Sequence, residues 1–155
     1  MPSPPDSAGV HLPPPLFYGA ALVGGWLLEG RWPMPVGGGA ARTALAWVLV
    51  AGWAVLGGSA FGMFWRSRTS PIPFRPAAAL VTAGPYTVTR NPMYVSLALL
   101  TAGLALFLNT WWTIVLLVPA VAGVQQFVIV PEERYLRRRF GTEYEQYTRR
   151  VHRWL

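Results

Sequence analysis

The sequence predicts an all-α integral membrane protein with four transmembrane helices and an amphipathic C-terminal tail. Three observations carry this. Of 155 residues, 53% are hydrophobic and only 12% charged, about half the charge of an ordinary soluble domain. Uncharged runs extend from Ser7 to Leu28, Thr43 to Trp65 and Asn91 to Pro131. Arginines crowd the flanks of these runs, and lysine is absent. At roughly 150 residues per domain the length suits one domain, so the membrane segments must take part in whatever chemistry occurs.

The elements follow in order. Residues 1–15 form a flexible lead-in, and residues 16–155 a single domain. A cleaved signal peptide is disfavoured, because the first twelve residues carry Asp6 but no Lys or Arg and prolines break the order. About 20 apolar residues cross a hydrocarbon core about 30 Å thick. The first span is placed at about 16–32, flanked by Trp26 and Trp32, and the second at 43–65. The third run is twice too long for one helix. It breaks at Asn109, Thr110, Trp111 and Trp112, which predicts a hairpin of spans 92–108 and 112–130 with its tryptophans at the membrane interface. Ala54, Gly58 and Gly62, four apart, suit close helix packing inside the bundle, with a homodimer seam as the alternative. Gly37, Gly38 and Gly39 read as a flexible turn rather than a phosphate loop, since no strand precedes them.

Charge sets the expected orientation. With four spans, Arg66, Arg68, Arg75, Arg90 and seven tail arginines share one side, against Arg31 and Arg42 on the other. The positive-inside rule puts both termini and the 66–90 connection in the cytoplasm. Membrane lipids thus account for the net charge of +7, and nucleic acid is not expected as a partner. Without cysteine there is no thiolate nucleophile and no sulfur zinc site, and without lysine no Schiff base. His11 and His152 lie too far apart in unrelated segments to suggest a metal site.

Two motifs remain. Gly84-Pro85-Tyr86 through Arg90-Asn91-Pro92-Met93-Tyr94 ends the connection: Asn91 suits an N-cap and Pro92 the first helical position. The stretch reads as a capped helix start with an interfacial arginine and belt tyrosines, and its positive end also favours an anionic group. After the fourth span, Pro131-Glu132-Glu133 opens a helix, Gly141 closes it, and Thr142 with Glu145 suggests a capping box for a second short helix. Leu136 and Phe140 form one apolar stripe, and Tyr144, Tyr147 and Val151 another, with the arginines toward headgroups. The glutamates serve equally as ordinary helix-dipole partners.

Taken as a pair, Arg90-Asn91-Pro92-Met93-Tyr94 and Glu132-Glu133 to Phe140-Gly141, Tyr144, Tyr147, Val151 and Arg153 resemble the membrane methyltransferases related to isoprenylcysteine carboxyl methyltransferase and phospholipid methyltransferase. The resemblance runs from about Thr82 to the C-terminus. It implies S-adenosyl-L-methionine as methyl donor, in a cytoplasmic pocket closed by the tail and lined by Tyr86, Arg90, Asn91, Pro92, Tyr94, Glu132 and Glu133. Glu132 and Arg153 are the implied catalytic residues. The expected acceptor is a hydrophobic amphiphile, first a lipid amine, in a cavity walled by Met93, Leu97, Phe127 and Val130. Alternatives are prenylcysteine-type carboxyl methylation, methylation of a small hydrophobic thiol, or a non-enzymatic membrane protein whose tail binds anionic lipid. Three departures from the family pattern stand out, and the first two weigh against the carboxyl-methylating reading while leaving the cofactor site intact. Asn91 stands where many relatives have histidine; the residues just before Pro131, Phe127 to Val130, are apolar where carboxyl-methylating relatives carry an arginine; and the chain stops at Trp154-Leu155, where many relatives continue with a proline.

Overall fold

The computed structural model describes residues 12–67 and 79–155. Among them are six α-helices and no strand: α1 Pro14–Arg31, α2 Gly39–Arg66, α3 Pro92–Phe107, α4 Trp111–Val124, α5 Val130–Phe140 and α6 Thr142–Arg150. The lead-in up to residue 11, Arg68 and Arg75 lie outside the described residues. Among the described residues two helices are long and apolar enough to cross a membrane: α2, and a continuous helix Trp111–Phe140 whose apolar part ends at Val130. α3 is apolar but has 16 residues, about 24 Å at 1.5 Å per residue.

α1 starts two residues earlier than expected. Pro14 and Pro15 occupy its first turn, where a missing N–H and fixed φ cost nothing. The second correction concerns the last helix. Pro131 does not open a new helix after a break; α4 runs into α5 through a π-helical turn at Gln125–Ile129. The reason is steric. A proline clashes with the carbonyl four residues back and cannot donate to it, and the wider turn absorbs both effects, with Val130 N–H bonded to the Gln125 carbonyl.

α2 packs along α3, and α1 along α4. Small residues let these pairs approach, but not those the spacing singled out. Gly58 and Gly62 have open space where a side chain would be, and Ala54 is exposed. Instead Ala46 and Ala60 are buried, Gly57 lies against Ser96, and Gly103 lies against Val50 and the Ala46 carbonyl. In the other pair, Gly25 sits on Thr113 and Gly123 on the Phe17 ring.

One end of the bundle is tied by its two turns. Gly37, Gly38 and Gly39 all have positive φ, 75, 82 and 49°, so the glycines hold a left-handed path that other residues avoid. Asn109 takes φ 57°, and its Oδ1 accepts from Gly37 N–H at 3.0 Å. The Thr110 hydroxyl caps α4 by accepting from Trp112 N–H and donates to Glu29 at 2.8 Å. Arg42 donates to the Leu106 carbonyl at the end of α3, where unpaired carbonyls favour a cation. The opposite end carries the 84–91 connection and the tail.

Candidate active site

A short strap builds this end. Gly84–Thr87 forms a 3₁₀ turn with Tyr86 buried, and Thr89 pairs with His152 in an isolated parallel bridge. Arg90 N–H donates to the His152 carbonyl at 2.9 Å. The Arg153 carbonyl accepts from the Thr89 hydroxyl at 3.1 Å and from Asn91 Nδ2 at 2.8 Å. Asn91 therefore occupies the N-cap position of α3 without capping through its side chain, which ties down the tail instead. Tyr147 donates to the Tyr86 carbonyl at 2.7 Å, and Trp154 Nε1 to Gln125 Oε1 in the π turn at 2.7 Å.

The apolar stripes of the tail turn inward. Tyr144, Tyr147 and Val151 are buried with Ala60, Val81 and Tyr86, and Phe140 packs against them. Leu136 also touches the second cluster, formed by Tyr18, Val124, Val128, Ile129 and Tyr135. α6 follows Gly141 directly, with no side-chain cap; the expected Thr142 and Glu145 box is not formed. Glu145 N–H bonds to the Gly141 carbonyl, and the Gly141 φ of 51° makes the sharp junction.

Adjacent glutamates at the start of α5 have different surroundings, because successive helical residues point about 100° apart. Glu133 is 8% exposed. Arg153 forks onto it, Nε to Oε1 at 2.9 Å and Nη2 to Oε2 at 2.7 Å, and Arg90 Nη1 lies 3.2 Å from Oε1. Glu132 instead accepts from the Tyr94 hydroxyl, 2.9 Å from both carboxylate oxygens. Burial pushes the Glu132 carboxyl up to about 7; the Tyr94 bond opposes this and the Glu133 charge adds to it. Arg90 Nε is buried without a hydrogen-bond partner. A buried donor left open in this way suits an anionic ligand group.

The structure thus brings Tyr86, Arg90, Asn91, Pro92, Tyr94, Glu132, Glu133 and Arg153 to one end of the bundle. It does not gather the expected acceptor wall. Met93 packs against the cluster that holds Tyr86 and Tyr144, and Leu97, one turn further along α3, against the cluster that holds Tyr18 and Val124. Phe127 is 60% exposed and stacks on Phe17, centroids 6.3 Å apart at 10°. Val130 is partly buried. A cavity of about 420 Å³ opens at the opposite end, beside Trp26, Glu29 and Leu108.

Sequence reasoning missed Tyr18, Thr89, Gln125 and Trp154. Tyr18 is buried in α1 and donates to the Tyr94 carbonyl at 3.0 Å, bracing α3 under the site. Each partner lies 29 to 76 residues away, so no local spacing signals these pairs.

The profile of a family described as phospholipid methyltransferase matches residues 41–143. An uncharacterized protein of Haemophilus influenzae is 36% identical over 66 residues, which cover 41% of this chain and 100% of that protein. No solved structure matches. The matched stretch contains Tyr94, Glu132 and Glu133 and leaves α1 and Arg153 outside it.

Proposed function

This chain belongs to the phospholipid methyltransferase family, and from that premise we propose that it moves a methyl group from S-adenosyl-L-methionine to a lipid-like amphiphile, specifically a lipid amine. The observation that carries the reading is the convergence of Arg90, Tyr94, Glu132 and Glu133 under one strap.

The residues fit the donor molecule. Arg90, with its open Nε, and the start of α3 suit the carboxylate. Glu133 suits the ammonium, and Tyr86 and Tyr94 offer ring faces to cationic and aromatic parts; Asn91 and Pro92 complete the lining. When bound, the donor supplies an activated methyl on a sulfonium. The chain's task is alignment and exclusion of water, because an in-line displacement gains most from positioning. Arg153 acts by holding Glu133 and closing the strap, and Glu132 faces the reaction.

In this reading α1, α2, α3 and the continuous helix from Trp111 to Val130 each span the bilayer and both termini face the cytoplasm, the source of a soluble donor. Membrane lipids surround the helices, and the acceptor enters sideways.

S-adenosylhomocysteine binding in detergent tests the proposal. Wild type binds, and Arg90→Ala and Glu133→Gln each weaken binding by about 1 to 3 kcal/mol, the scale of a charged hydrogen bond. Absence of binding by the folded wild type rejects the reading. Labelled methyl transfer into a membrane extract then identifies the acceptor class.

A further inference from the structure

We infer that the cavity at the end of the bundle opposite the candidate site holds the head of a phospholipid bearing a primary ammonium, with Glu29 as the group that binds it. This lipid is not the methyl acceptor. Glu29 lies eleven residues along α1 from Tyr18, about 16 Å at 1.5 Å per residue, and Tyr18 is the residue that reaches the candidate site through its bond to the Tyr94 carbonyl. The inference uses neither the methyl donor nor the acidic residues of the tail, so it stands apart from the methyl-transfer reading.

Glu29 is the only acidic residue between Asp6 and Glu132. Its carboxylate is held by neutral donors: Met34 N–H lies 3.0 Å from both oxygens, and the Thr110 hydroxyl donates to Oε2 at 2.8 Å. Neither brings a positive charge. Both ion pairs among the described residues belong to Glu133, and the two arginines at this end are engaged elsewhere, Arg31 over the Trp32 ring at 5.5 Å and Arg42 with the Leu106 carbonyl. A carboxylate is thus fixed at the cavity by bonds that leave its charge unanswered. Partly withdrawn from water, it gains from a cation that meets it.

The rest of the cavity, about 420 Å³ lined by Trp26, Leu27, Glu29, Gly30 and Leu108, favours the same sign. Gly30 belongs to the last turn of α1 and Leu108 is the C-cap of α3, so two negative helix ends close on it. Trp26 adds an indole, the ring that attracts cations best. Val23, Trp26 and Leu27 are exposed at the spacing of one helix face, and this apolar strip leads from the cavity toward the middle of α1. An acyl chain covers it; a free amine does not. Trp32 and Trp111 are also exposed at this end, as tryptophans at headgroup level are. A primary ammonium can donate to the carboxylate lone pairs that Met34 and Thr110 leave open, whereas a trimethylated one has no N–H to give.

Lipid retention by the delipidated full chain in detergent, read by native mass spectrometry, tests the inference. Phosphatidylethanolamine is the probe, with phosphatidylcholine, which lacks the N–H, and phosphatidylglycerol, which lacks the ammonium, as comparisons. Phosphatidylethanolamine should bind at least about tenfold more tightly than either, the scale of one charged hydrogen bond, and a photoreactive group on its acyl chain should label residues 23–30. Glu29→Gln should remove the preference. Because Glu29 also ties down the neighbouring loop, Gly30→Leu gives an independent check: position 30 has open space where a side chain would stand, and a leucine there fills the cavity without touching the Met34 and Thr110 bonds. It should weaken phosphatidylethanolamine binding about tenfold, and both variants should bind S-adenosylhomocysteine as wild type does. Equal affinity for the three lipids, a preference that survives Glu29→Gln, or labelling confined to residues around Tyr94 overturns the inference. Displacement by excess free ethanolamine overturns it too, since the ligand is then a soluble amine. Wild type that binds no S-adenosylhomocysteine rejects the methyl-transfer reading and leaves this site standing.

Discussion

Arg153 and Glu133, twenty residues apart, meet in a two-point fork of 2.9 and 2.7 Å, and this contact fastens the end of the chain over the site. Arg153→Ala leaves a nearly buried carboxylate with Arg90 as its remaining ion-pair partner. The Arg153 side chain is 36% exposed, so solvent screens part of the pair, and the expected loss is about 1 to 2 kcal/mol. The strap should loosen before the bundle does. Trypsin cleavage after Arg149 and Arg150 should accelerate, with helical circular dichroism unchanged; equal cleavage rates in both proteins would show that the fork does not hold the tail.

Gly25→Ala tests the crossing of α1 and α4. An added Cβ would lie 2.0 Å from Thr113 Oγ1 and 2.7 Å from the Thr113 backbone. The helices must separate, at about 1 to 3 kcal/mol for overpacking. Gly58→Ala, on an open face of α2, should be neutral or stabilising, since alanine favours a helix by about 1 kcal/mol over glycine. Thermal unfolding in one detergent compares them, and equal midpoints would contradict this packing.

The same contrast explains what was legible in the sequence. Element existence and the hairpin break were readable because long apolar runs, Pro92 and Asn109 act locally. Which face of a helix packs inward was not. Ala54, Gly58 and Gly62 have the right spacing, but the partner α3 meets the face carrying Ala46, Gly57 and Ala60, and nothing within α2 chooses between them. The π turn needs Pro131 together with an uninterrupted helix on both sides, so a proline read alone looks like a start. In the site, residue types were legible at Arg90, Glu132 and Glu133. Their partners were not, because Tyr94, Arg153 and His152 come from chain distances of 20 to 62 residues.

The proposed sidedness rests on the split of eleven arginines against two that four spans would give. Single cysteines at Ser70 and Gly38, in a chain with none of its own, should react with an impermeant thiol reagent from opposite faces, Gly38 from outside. Labelling of both from outside rejects the four-span arrangement.

The nature of the acceptor follows from the charges left over at the site. Arg153 is fully committed to Glu133 through its fork, and Arg90 shares the same carboxylate. No arginine occurs between Asn91 and Pro131. A free carboxylate acceptor brought to the site would lie near the Glu132 carboxylate, and burying it without a cation is very costly. An amine meets the opposite situation: as an ammonium it is drawn to Glu132, and after losing its proton it reacts uncharged. Long-chain amines and aminolipids should therefore accept labelled methyl groups, and a prenylcysteine should compete poorly. Below neutral pH the amine reaction should slow, because a protonated Glu132 no longer attracts the ammonium. The rate should rise as pH climbs through about 7 and level off above it. Efficient methylation of the prenylcysteine carboxylate with no transfer to any amine would mean that Arg90 or Arg153 leaves Glu133 to hold the acceptor, and the assignment of these charges would have to be reversed.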